Sequence, residues 1–173
     1  MATTKRSEHA SFESIFHFGD TLNPFVISAS RCIFIPDGHY LPDSYFRAFR
    51  AAVEDAGDEF CFARFVSAGR SDVSRAPLSD HSTFLDALVE QSAGEIDFHE
   101  YVMVGCGNSW GFWADGNNAG LLAGADTFID KFVAAFGGTE RLLADRRRYV
   151  ALVGPTFRDE FLRVVDVCWP PSE

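Results

Sequence analysis

The chain lacks the short motifs that mark several common kinds of active site. It has no G-x-x-x-x-G-K-[ST] phosphate loop, no S-x-x-K serine motif, and no H-E-x-x-H or H-x-x-x-H zinc motif. The glycine-rich piece at 105–111 reads G-C-G-N-S-W-G, with Trp110 where a dinucleotide fingerprint needs its third glycine. The sequence therefore predicts no bound nucleotide, no cofactor and no metal ion.

Cysteine pairs and long apolar runs are also absent. Cys32, Cys61, Cys106 and Cys168 form no C-x-x-C motif, and all but Cys106 lie in apolar runs, where a free thiol acts as a small hydrophobe. No run of about 18 apolar residues could span a membrane. Residues 1–11 lack the apolar core of a secretory signal and are expected to be a flexible segment. We therefore expect a reduced, cytoplasmic protein that makes no membrane contact.

Basic side chains are scarce: 15 Lys and Arg stand against 25 Asp and Glu, for a formal net charge of −10. Nucleic acids and anionic membranes are bound through clustered Lys and Arg, so neither is an expected partner. Between Ala76 and Asp130 there is no Lys or Arg, and from Lys131 to Arg163 seven basic residues face four acidic ones. The acidic stretch carries nine carboxylates: Asp80, Asp86, Glu90, Glu95, Asp97, Glu100, Asp115, Asp126 and Asp130.

This charge distribution has two interpretations. A field of one sign attracts an oppositely charged partner and raises its association rate, which favours a binding surface for a basic protein. Alternatively, the acidic stretch packs against the basic helices that follow it.

The residues that are present predict a single α+β domain over 1–173, with a large core built from 18 phenylalanines. Alternating and apolar runs predict about five strands, at 25–28, 32–35, 60–66, 98–104 and 109–114. The first two are typical of a hairpin. The second half of 98–104 is apolar at every position, which indicates a strand covered on both faces.

Helical spacing of apolar residues predicts five or six helices, concentrated at the C-terminal end. A short one is expected at 12–19, and a final one begins at Pro155. Residues 67–79 are expected to be a polar loop. Because strands and single helices do not alternate strictly, the sheet is predicted to be mostly antiparallel.

Two sets of residues are consistent with an enzyme. Cys106 lies between two glycines and is a candidate nucleophile, or simply a residue at a strand end. Asp97 and His99 share one face of a strand, where the carboxylate could orient the imidazole; the ordinary interpretation of such a pair is a cross-strand contact. The carboxylates of 54–59 are interpreted as a solvated helix end.

Trp113 and its neighbours are candidates for partner binding. Alternation along the strand at 109–114 places Trp110 and Phe112 on one face and Trp113 on the other, next to Asp115. If Trp113 is exposed, it has the character of an interface anchor. If helices cover both faces, it is core. The candidate partner surface consists of Trp113, Asp115, Asp86 and Glu90.

The segment 101–136 resembles the later half of small bacterial immunity proteins. In both, a strand, a W-G-containing strand, a short turn, an L-x-G piece and an F-I-x-x-F helix follow one another. The likeness covers about a fifth of the chain and rests on Trp110-Gly111, Leu122, Gly124, Phe128-Ile129 and Phe132. It implies a cytoplasmic protein that neutralises a toxin by binding it.

Three functional hypotheses follow. The first is a non-catalytic binding protein, specifically an immunity protein against a basic toxin. The second is an enzyme that uses Cys106 or the Asp97–His99 pair. The third is a structural or oligomerising module that associates with copies of itself through its aromatic rings.

Overall fold

A computed structural model describes residues 16–18, 24–26, 31–36, 41–65, 73–91, 100–107, 109–114, 119–154 and 168. Within these ranges it is an α+β structure with four helices, three of them in the C-terminal two thirds of the chain. The strands are β1 (Phe16–Phe18), β2 (Pro24–Val26), β3 (Arg31–Pro36), β4 (Phe60–Phe65), β5 (Ser74–Pro77), β6 (Tyr101–Gly105), β7 (Trp110–Ala114) and β8 (Ala119–Gly124). The helices are α1 (Asp43–Ala56), α2 (His81–Gln91), α3 (Asp126–Phe136) and α4 (Thr139–Leu152).

The main sheet has six antiparallel strands in the order β3-β8-β7-β6-β4-β5. This confirms the expected α+β class and antiparallel pairing, with one strand more than the expected five. The unforeseen members are β8 and β5. The first is rich in Ala and Gly, and the second lies in the stretch expected to be a loop. Both form because neighbouring strands supply their hydrogen bonds, and intrinsic strand propensity contributes little there.

The N-terminal part differs from its prediction. Phe16–Phe18 is a strand paired with Pro24–Val26 in a separate two-stranded sheet, where a helix was expected. The expected hairpin of 25–28 with 32–35 does not form, because β3 pairs with β8 instead. Short apolar runs carry too little periodicity to separate helix from strand, and the pairing partner lies about 90 residues away in sequence. Residues 12–15 and the helix expected from Pro155 lie outside the described residues.

The helices begin and end where local chemistry dictates. In α1, the amides of Tyr45 and Phe46 donate to the Pro42 carbonyl oxygen at 2.8 Å. Gly57 ends the helix in the left-handed conformation, with φ of 79°, which glycine adopts without steric cost. Between these ends, Phe46, Phe49 and neighbouring apolar side chains form one buried stripe.

The central strands of the sheet, β6, β7 and β8, are buried on both faces. On the first face, Trp110 and Phe112 pack against helices α1 and α3, and the Phe49 ring meets the Trp110 ring edge-on with centroids 4.9 Å apart. On the second face, Trp113 and Val102 lie in a separate apolar cluster, joined by Tyr149 of α4 and by Cys168. The burial expected on both faces for the second half of 98–104 is confirmed, because every residue of β6 is buried. None of the described helices combines the length and apolar character that crossing a bilayer demands.

Candidate functional site

Asp86 and Glu90 lie together on the exposed side of α2. The opposite side of this helix is core, because Phe84 and Leu88 are fully buried in the first-face cluster. Asp86 and Glu90 are one helical turn apart and exposed, and Val89 between them is 38% exposed. The helix, HSTFLDALVEQ, has no Lys or Arg that could neutralise them. We call Asp86, Val89 and Glu90 the α2 acidic face.

Asp80 begins this helix and has a structural role. Its carboxylate accepts hydrogen bonds from the Thr83 amide at 2.8 Å and from the Thr83 hydroxyl at 2.7 Å. These bonds satisfy a backbone amide of the first turn and hold the pKa of Asp80 below its ordinary value. The cap is therefore present above the ordinary carboxyl pKa and is lost as the pH falls through the lowered one.

The remaining described carboxylates of the acidic stretch are engaged elsewhere. Arg31 on β3 holds Asp126 through Nε at 2.8 Å and Asp130 through Nη2 at 2.6 Å. Glu100 is buried and accepts a hydrogen bond from the Trp113 indole. Glu95, Asp97 and Asp115 lie outside the described residues. Of the described carboxylates between Ala76 and Asp130, the ones that are exposed and take part in none of these contacts are therefore Asp86 and Glu90 on α2.

The neighbouring helix α1 shows the contrast. It also exposes carboxylates, but each has a cation nearby: Asp43 pairs with Arg47, Glu54 with Arg50, and Asp55 with Lys131 of α3. Exposed pairs of this kind add little stability, but they cancel the field that a partner would otherwise meet. The α2 acidic face has no such partner on its own helix, which contains no Lys or Arg.

Trp113 is not an exposed anchor. Its side chain is 3% exposed on the second face of the sheet, and its indole Nε1 donates to Glu100 Oε1 at 2.6 Å. The core interpretation is therefore the one that the structure shows. The alternation that separated Trp113 from Trp110 is confirmed, but both faces are covered, so neither ring reaches the surface.

Asp58 organises a corner that sequence reasoning missed. Its carboxylate accepts from Trp110 Nε1 at 2.8 Å and from the Cys106 amide at 3.1 Å, so it ties the end of α1 to strands β6 and β7. The carboxylates of 54–59 were expected to be solvated, yet this one has a fixed partner 52 residues away. No local signal marks it, because the contact exists only once α1 packs on the sheet.

Cys106 is exposed at the end of β6, but its thiol is poorly suited to attack. Its Sγ lies 3.3 Å from the Phe60 carbonyl oxygen, to which it donates a hydrogen bond. Partial burial raises the pKa of the Cys106 thiol, and the nearby Asp58 carboxylate raises it further. A catalytic cysteine needs the opposite, a lowered pKa that leaves a thiolate at neutral pH.

We expect Cys106 to react slowly with iodoacetamide at neutral pH despite its exposure, and severalfold faster in Asp58→Asn. The substitution removes the negative charge that opposes the thiolate, so the pKa of Cys106 falls. Peptide mass spectrometry of the alkylated protein over a pH series measures the rate. Asp55→Asn is the control, because that carboxylate pairs with Lys131 instead. Equal Cys106 rates in the two variants would contradict the role given to Asp58.

Residues 107–111, G-N-S-W-G, match the G-x-S-x-G pattern of serine hydrolases. In those enzymes the serine occupies a sharp turn from a strand into a helix. Here Ser109 lies between the antiparallel strands β6 and β7, and its carbonyl oxygen accepts from the Ala125 amide at 3.0 Å. The sequence also has no His after His99, whereas the histidine of such enzymes follows the serine. The G-x-S-x-G match therefore lies in a connection between two strands and lacks the turn and the histidine of a serine hydrolase.

Other candidates are not assembled into a site. Asp97 and His99 lie outside the described residues. Among the side chains that the structure describes, no group of three or more His, Cys, Asp or Glu is placed to hold a metal ion. The chain matched no protein-family model, no curated protein and no solved structure when it was compared with each.

Proposed function

We propose that this chain is a non-catalytic binding protein whose α2 acidic face contacts a basic protein, and that its partner is a toxin that it neutralises. The observation that carries the proposal is the pairing pattern of the carboxylates. Those of α1 and α3 are balanced by nearby Arg or Lys side chains, whereas Asp86 and Glu90 lie exposed on a helix without Lys or Arg.

The geometry of this face suits recognition of Lys or Arg. Asp86 and Glu90 are held on a helix whose other side is anchored in the core, so their backbone positions are set before a partner arrives. Val89 exposes an aliphatic group beside the two carboxylates, where it can cover the methylene stem of a bound Lys or Arg. Opposite charges then speed the encounter, and the apolar contact contributes on docking.

The chemistry of the other candidates supports binding over catalysis. The raised pKa of Cys106 disfavours the thiolate that a nucleophile requires. Ser109 lies between two strands, with no later histidine in the sequence to activate it.

The test begins with the protein encoded beside this chain, because an immunity gene adjoins the gene of its toxin. Expression of that neighbour alone should arrest growth, co-expression with this chain should restore growth, and the two proteins should form a complex. A harmless neighbour, or one that this chain neither binds nor neutralises, would refute the immunity function.

With that partner, we expect the double substitution Asp86→Lys/Glu90→Lys to lower the association rate constant about tenfold or more at low salt, with little change in dissociation. The reason is that two positive charges on α2 would repel the basic partner that the two carboxylates attract. Raising the salt concentration should reduce the difference in association rate between this variant and the unaltered chain, since the screening length is about 10 Å at 0.1 M. Stopped-flow mixing over a salt series measures both rates.

The matched control is Glu59→Lys/Glu140→Lys, which changes two exposed carboxylates outside α2 by the same total charge. A general effect of net charge would slow both double variants equally. Equal slowing, or no slowing in the α2 variant, would remove the α2 acidic face from the mechanism.

A further inference from the structure

Two of the four cysteines lie side by side although they are 136 residues apart in sequence. Cys32 on β3 and Cys168 near the C-terminus have their Sγ atoms 3.9 Å apart. Both are buried in the apolar cluster of the second face. The other two thiols have different neighbours: Cys61 Sγ lies 3.7 Å from the Met103 sulfur, and Cys106 donates to the Phe60 carbonyl oxygen.

We propose that Cys32 and Cys168 are an oxidation site, which hydrogen peroxide converts into a disulfide. A disulfide has an S–S length of about 2.05 Å, so the two sulfurs must approach by roughly 2 Å. Cys32 belongs to an edge strand and Cys168 lies in a bend outside the strands, so neither is held between two strands as the cysteine of β4 is. The approach of the two sulfurs therefore requires movement only at the edge of the sheet.

The oxidation proceeds in two steps that balance. The thiolate of Cys32, the more exposed of the two, attacks the peroxide; the S–O bond forms, the O–O bond breaks, and hydroxide leaves to take up a proton as water. The Cys168 sulfur then attacks the sulfenic acid on Cys32. The S–S bond forms, the S–O bond breaks, and a second water leaves with the Cys168 proton. Two thiols and one peroxide give one disulfide and two waters.

The environment sets the conditions of the reaction. Hydrogen bonding to Cys168 and burial both raise the pKa of the Cys32 thiol, so oxidation is slow at neutral pH and accelerates as the pH rises. A small uncharged oxidant is required because the site is apolar. The disulfide ties the edge strand β3 to the C-terminus and closes a loop of more than a hundred residues, which stabilises the folded chain.

The experiment treats the folded, fully reduced chain with stoichiometric hydrogen peroxide at mildly alkaline pH, then denatures it and counts thiols by alkylation. We expect the reduced protein to show four thiols and the treated protein two. The treated protein should be lighter by two hydrogen atoms, and peptide mapping should show a cross-link between Cys32 and Cys168. Dithiothreitol should restore all four thiols, and the oxidised form should melt at a higher temperature.

Cys106→Ser is the matched control, because it removes the exposed thiol and should leave the cross-link unchanged. Cys168→Ala should abolish it. A cross-link that joins Cys61 to Cys106, oxidation confined to Cys106, or four thiols remaining after treatment that oxidises the unfolded chain would each overturn the proposal. The mapping uses the unaltered chain, so its outcome does not depend on how well a variant folds.

Discussion

Replacing Trp113 with alanine should lower the free energy of unfolding by about 3–5 kcal/mol, the range for deleting a large buried ring. The ring is 3% exposed and lies between its cross-strand neighbours Val102 and Leu121 on the second face of the sheet. Its removal leaves a cavity in the interior of the sheet, where strands bonded on both sides cannot collapse to fill it. Equilibrium unfolding in urea, followed by circular dichroism, measures the loss.

A second variant, Trp113→Phe, separates packing from hydrogen bonding. It keeps most of the ring but removes the N–H that reaches Glu100 at 2.6 Å. We expect a loss of about 1–3 kcal/mol, because a buried carboxyl oxygen then loses a donor. Near-native stability of Trp113→Ala would instead place the ring at the surface and return Trp113 to the candidate partner residues.

Gly105→Ala should cost about 3 kcal/mol, near the upper end of the usual range for overpacking. A Cβ at this position would lie 2.5 Å from Asp58 Oδ2 and would overlap the indole nitrogen of Trp110. Neither neighbour can yield, because the two are hydrogen-bonded to each other at 2.8 Å. The backbone is also fixed, since Gly105 pairs with Cys61 of β4.

Gly107→Ala is the control for that substitution. It makes the same chemical change two residues later, at a position where a Cβ would meet nothing within 4 Å. We expect its unfolding free energy to stay within about 0.5 kcal/mol of the unaltered chain. Urea midpoints of the two variants, measured side by side, give the comparison. If both variants lose the same amount of unfolding free energy, the tight corner formed by Asp58 and Trp110 is not rigid.

Local sequence determined the features whose cause is local. The apolar stripe of α1, with Pro42 at its start and Gly57 at its end, predicts that helix because spacing and end chemistry are properties of neighbouring residues. The same holds for the alternation that assigned Trp110 and Trp113 to opposite faces of β7. It holds too for the absence of Lys and Arg from α2, since composition does not change on folding.

Tertiary structure alone decided which strands pair and which charges remain exposed. β8 is a strand because β3 and β7 flank it, and its own Ala and Gly residues give no such indication. Asp126 and Asp130 count as acidic in the sequence, but Arg31 neutralises them from 95 or more residues away. Alternation along β7 places Trp113 on the face opposite Trp110, but Trp113 is buried only because other residues cover that second face. In each case the deciding contact joins residues distant in sequence, and no local pattern encodes such a contact.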